Sequence, residues 1–104
     1  MLDKATAREI ALKYSDEVRK NLDPTKVVLF GSYVNGTPNE NSDIDIAIIM
    51  NGFQGDWLKT SSFLGRLNRK ISLDIEPHLL DETHDPSGFV EHIVKTGEII
   101  FQST

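Results

Sequence analysis

Three observations predict an α/β domain of the α+β kind, in which helices flank a small mixed β-sheet. Apolar residues recur every fourth position near the N-terminus, as they do on one face of a helix. Short apolar runs, KVVLF, DIDIAIIM, ISLDIEP and EIIF, carry the signature of strands. Helical patterns are interspersed with them, giving the order helix, strand, strand, helix, strand, helix, strand.

The first helix is expected over Asp3–Leu22, with Ile10, Tyr14, Val18 and Leu22 on its buried face and Ala7 and Ala11 beside them. Asp3 is a candidate N-cap, Thr6 with Glu9 offers a capping box, and Pro24 ends the segment. Lys26–Phe30 reads as a buried strand broken by Gly31-Ser32, and the turn formers of Asn35–Ser42 read as a loop. In DIDIAIIM, Ile44, Ile46 and Ile48 alternate with Asp43, Asp45 and Ala47. Asp56–Lys70 reads as a helix with Leu58, Phe63, Leu64 and Leu67 toward the core. In ISLDIEP, Ile71, Leu73 and Ile75 point one way, Ser72, Asp74 and Glu76 the other, and Pro77 closes the strand. His78–His84 is a polar connection without an assignment. Asp85-Pro86 starts the last helix, with Phe89, Val90, Ile93 and Val94 as its stripe and Gly97 as its C-cap.

The 104 residues suit one domain, 1–104, and the 38% hydrophobic and 26% charged residues suit a modest core. A net charge of −5 argues against a protein that tracks nucleic-acid phosphates. It leaves room for a nucleotide held through metal ions. The absence of cysteine excludes disulfides, thiolate metal sites and cysteine nucleophiles. Neither a signal peptide nor a membrane-length apolar run is present, so a cytoplasmic location is expected.

The chemistry concentrates in LFGSYVNGTPNENSDIDIAII, Leu29–Ile49. Two ionised carboxylates on one face of an apolar strand are costly unless something compensates them. Asp43 and Asp45, at i and i+2, share a face roughly 6.5–7 Å apart. Carboxylates so placed can lean over metal ions held about 3.5–4 Å apart. An aspartate on a neighbouring strand would complete the set, and Asp74 fits that requirement. Oxygen ligands with open positions suit Mg²⁺. Gly31 permits a tight turn with close backbone approach, and Ser32 would open a short helix whose free N–H groups favour a phosphate.

Gly31-Ser32, Gly36 and Ser42-Asp43-Ile44-Asp45, followed by Asp74, resemble the nucleotidyltransferase signature of the DNA polymerase β-like superfamily. The length and the GEIIF ending resemble its minimal nucleotidyltransferase (MNT) family. The resemblance implies the polymerase β-like fold and transfer of a nucleoside monophosphate, AMP from ATP, to a hydroxyl acceptor. It implies two Mg²⁺ ions on Asp43 and Asp45, with Asp74 sharing the one that activates the acceptor, and the triphosphate on Gly31 and Ser32. It further implies a HEPN-domain partner protein, which the MNT protein would neutralise by adenylylating it. There is no room here for the acceptor-holding domain of antibiotic-modifying relatives. Where the family commonly has a small residue and then a basic one, this sequence has Val34 and Asn35. The alternative is therefore an MNT-fold binding module that neutralises its partner by complex formation alone.

Other readings carry less. A calcium loop through Asn39, Asn41 and Asp43 fails at Ile44 and Met50, where glycine and glutamate are required. Glu76 shares a face with Asp74 and is an alternative further ligand, with strand-end solvation the favoured reading, and His78, His84 and His92, without metal-ligand spacing, read as surface or packing residues.

Overall fold

The computed structural model describes residues 2–36, 38–39 and 42–103; Thr37, Glu40 and Asn41 of the expected loop lie outside them. Helix α1 (Lys4–Arg19) starts where Asp3 accepts a hydrogen bond from Thr6 N at 2.7 Å. It buries Ala7, Ala11, Tyr14 and Val18 and stops at Arg19, short of the expected Leu22. Strand β1 (Lys26–Phe30), a four-residue helix α2 (Ser32–Asn35) and strand β2 (Ile44–Met50) follow. Helix α3 (Trp57–Ile71), strand β3 (Ile75–Asp81), helix α4 (Phe89–Thr96) and strand β4 (Glu98–Gln102) complete the chain.

The sheet runs β3-β2-β1-β4. β1 pairs antiparallel with β2 and β4, whereas β2 and β3 are parallel and are joined through α3. The sheet is thus mixed, as expected. Val27, Leu29, Ile44, Ile46, Ile48, Met50 and Ile75 form its closed face against α1 and α3. Burying each of the larger side chains contributes about 1.5–3 kcal/mol. Tyr14 donates its hydroxyl to Leu64 O at 2.9 Å, tying α1 to α3, and burial pushes that phenol well above its usual pKa. On the opposite face Val28, Ala47 and Ile49 meet Val90 and Ile93 of α4.

Several expected boundaries are corrected. α3 continues to Ile71, so that residue ends a helix instead of starting a strand. Leu73 is 80% exposed in a turn, and β3 begins only at Ile75. The buried Asn68 side chain sets this phase by donating to Ser72 O at 3.2 Å and to Ile75 O at 3.0 Å. Pro77 lies inside β3 and does not close it, which an edge strand tolerates because one row of its N–H groups faces away from the sheet. Part of the unassigned connection, His78–Asp81, is therefore strand. Leu58, expected in the core, is exposed. α4 starts at Phe89, not at Asp85-Pro86, and Phe89 is 41% exposed. Asp85 still caps it across a turn, accepting from Val90 N at 3.0 Å and Glu91 N at 3.1 Å. Among the described residues no helix is long and apolar enough to cross a membrane.

Candidate active site

α4 covers only part of its face of the sheet. The remainder carries Phe30, Asp45, Glu76 and His78, side chains that alternation sends to the opposite side from Leu29, Ile46 and Ile75. The parallel register sets Asp45 beside Glu76 and Ala47 beside His78. One ligand atom from each of Asp45, Glu76 and His78 lies within 4.8 Å of the others. His78 Nε2 is 3.2 Å from Asp45 Oδ1, a hydrogen bond when the imidazole carries its proton on that nitrogen. Asp45 and His78 are partly shielded, with side chains 24% and 29% exposed.

Asp43 precedes β2 and is exposed. It adjoins Glu76, whose pKa is raised first by a side-chain hydrogen bond with Asp43, and lies outside the compact group of Asp45, Glu76 and His78. Partial burial and the charge of Asp45 push the same way, while His78 opposes them. Three carboxylates crowded this closely repel one another, and a bound divalent cation would relieve that repulsion. The donor set, hard oxygens with one imidazole nitrogen, fits such an ion.

The Gly-Ser turn closes the site from β1. Gly31 adopts φ 82 and ψ −150, a combination essentially confined to glycine. A Cβ built on it would overlap the Asp45 carboxylate. Val34 and Asn35 N both donate to Gly31 O, at 3.0 and 2.9 Å, leaving the Ser32 and Tyr33 amides outside the helical ladder at the start of α2. Ser42 anchors the incoming loop, its hydroxyl accepting from Asn39 N at 2.8 Å.

Four of the five expected residues, Gly31, Ser32, Asp43 and Asp45, thus meet at one end of the β1–β2 pair. Asp74 does not lie on a strand. It occupies the exposed turn before β3, where its carbonyl accepts from Ile44 N at 2.7 Å, and its carboxylate is not in the compact cluster. Glu76 and His78 take that place. The spacing E-x-H in one strand, with both side chains on one face, was the available sequence signal, and it was hidden by the expectation that Pro77 closes the strand before His78.

The family model described as Polymerase beta, Nucleotidyltransferase matches residues 13–104. A Sulfolobus solfataricus protein described as a candidate nucleotidyltransferase shares the fold, with a TM-score of 0.69 at 21% identity over 95% of this chain and 83% of its own. A toxin-antitoxin structure with AMP-PNP matches with a TM-score of 0.66 at 25% identity, over 89% of this chain and 74% of the other. A mutant of the toxin-antitoxin MntA-HpeT shares the fold with a TM-score of 0.61 at 23% identity, over 99% and 76%. No curated protein matches the sequence.

Proposed function

The chain belongs to the polymerase β nucleotidyltransferase family, and from that premise we propose that it is a Mg²⁺-dependent enzyme transferring AMP from ATP to a hydroxyl on a partner protein. The observation that carries this reading is the cluster of Asp45, Glu76 and His78 beside the Gly31-Ser32 turn, with Asp43 adjoining it through Glu76. Bound Mg²⁺ would neutralise the triphosphate and lower the barrier to attack by the acceptor oxygen. Asp43 and Asp45 hold the ions, and Glu76 supplies the third carboxylate in preference to Asp74. Ser32 and the free amides of α2 orient the phosphates, while Gly31 lets them approach the backbone without obstruction. Phosphoryl-type transfer asks little of a protein beyond positioning and charge compensation, and these residues furnish both.

The toxin-antitoxin neighbours, one of them with AMP-PNP, support ATP as donor and a toxin as acceptor; a HEPN-domain protein as that toxin is what the resemblance to the MNT family implies. The test is transfer of label from α-³²P-ATP to a co-purified HEPN-domain partner. Labelling by wild type and none by Asp43→Asn/Asp45→Asn, with the complex intact in both, is the expected result. Full neutralisation of the partner by the double variant would instead favour the binding module.

A further inference from the structure

Resting on the metal site just described, the geometry points to a role for His78 that the carboxylates leave open. We propose that His78 is itself a metal ligand, placing an imidazole nitrogen beside Asp45 and Glu76 and biasing the site toward first-row transition ions such as Mn²⁺ over Mg²⁺. Nitrogen ligands suit those ions, whereas an all-oxygen set suits Mg²⁺.

The placement follows from the strand. Glu76 and His78 lie at i and i+2 of β3, so both project toward the Asp45 side of the sheet. Pro77 between them fixes one backbone torsion of the pair. On the adjoining strand the residue beside His78 is Ala47, whose small side chain leaves the imidazole room. Phe30 packs against the ring at 5.1 Å between centroids, and Phe89 supports Phe30 at 6.0 Å. The histidine is thereby held on one side while Nε2 points at Asp45.

Adjacent ligands of an octahedral ion, each about 2.1 Å from the metal, stand roughly 3 Å apart. The 3.2 Å between His78 Nε2 and Asp45 Oδ1 matches that separation. The 4.8 Å limit on the whole triad lets one ion reach all three with small side-chain rotations. The rival role is indirect, with His78 orienting Asp45 by a hydrogen bond and never touching the ion.

Pulsed EPR on Mn²⁺ separates the two. Protein labelled with ¹⁵N-histidine would be loaded with Mn²⁺ and AMP-PNP and compared with unlabelled protein and with His78→Gln. The expected result is a directly coordinated nitrogen that changes isotope on labelling and vanishes in His78→Gln. Mn²⁺ affinity should fall about tenfold or more in that variant, and Mg²⁺ affinity, read by competition, should fall less. Bound Mn²⁺ with no histidine coupling in wild type would overturn the proposal while leaving the carboxylate site standing. Failure of wild type to bind Mn²⁺ with the nucleotide present would overturn both. The wild-type spectra decide the matter even if the variant folds poorly.

Discussion

The two faces of the sheet are built from the same strands, yet they are made for opposite ends. On the closed face Leu29, Ile46, Ile48 and Ile75 are sealed by α1 and α3, and the buried Asn68 donates its side-chain amide to two backbone carbonyls. On the other face, α4 seals Val28, Ala47 and Ile49, then leaves Asp45, Glu76 and His78 partly open. Adjacent residues of β2 therefore serve different purposes: Ile46 stabilises the fold, and on the proposed function Asp45 costs stability so that a ligand can be bound. A strand with a sealed back can carry such a cost on its front.

The sharpest way to break this comparison is to mutate those neighbours separately. Asp45→Asn should reduce nucleotidyl transfer by at least ~10²-fold with an unchanged or higher thermal midpoint. Ile46→Ala, whose side chain is fully buried, should cost about 2–5 kcal/mol in denaturant unfolding and spare the activity of whatever remains folded. Equal stability losses in both variants would erase the distinction.

Gly31→Ala tests whether the site's backbone is as confined as it looks. The added methyl meets the Asp45 carboxylate, and the positive φ disfavours any side chain. A loss of about 1–3 kcal/mol should accompany weaker nucleotide binding by calorimetry. An active, fully stable Gly31→Ala protein would mean that the turn relaxes away from Asp45.

Glu76 sharpens the account through pH. Its folded pKa is raised above the ordinary 4.5, first by the hydrogen bond to Asp43. The native state therefore holds a proton that the unfolded chain has released, so stability falls as pH rises through the window above 4.5. In EDTA, urea midpoints measured from about pH 4 to pH 7 should decline less steeply in Glu76→Gln than in wild type. Parallel declines would mean that Glu76 is not crowded by Asp43 and Asp45.

The smallest effect belongs to the sealed half of that same face. Removing the cap on α4 with Asp85→Ala should cost about 1 kcal/mol in denaturant unfolding, leaving nucleotide affinity as it was. A change in affinity would show that α4 is coupled to the site.

Much of this architecture was legible in the residues themselves. β1 lies where its β-branched run predicts, and the Gly-Ser and Ser-Asp-x-Asp elements fall together because one short turn and one antiparallel register join them. The third strand was not legible. Ile71, Leu73 and Ile75 alternate convincingly, but Ile71 is the partly buried last residue of α3, and the Asn68 side chain, bonded to Ser72 O and Ile75 O, holds the turn where the helix gives way. The expected alternation was right, with Glu76 opposite Ile75, but the early start placed Asp74 on the strand as well, whereas β3 begins at Ile75 and keeps only Glu76 of the two. His78 was overlooked for a related reason: its partner Asp45 lies across the sheet, and no spacing along the chain announces a contact made through strand pairing.

The most direct test is a calorimetric titration of AMP-PNP into wild type and Asp43→Asn/Asp45→Asn, with Mg²⁺ and then with EDTA. Wild type should bind in Mg²⁺, with binding lost on chelation and lost in the double variant. Binding that persists in EDTA, or in the variant, would contradict a site built on these carboxylates.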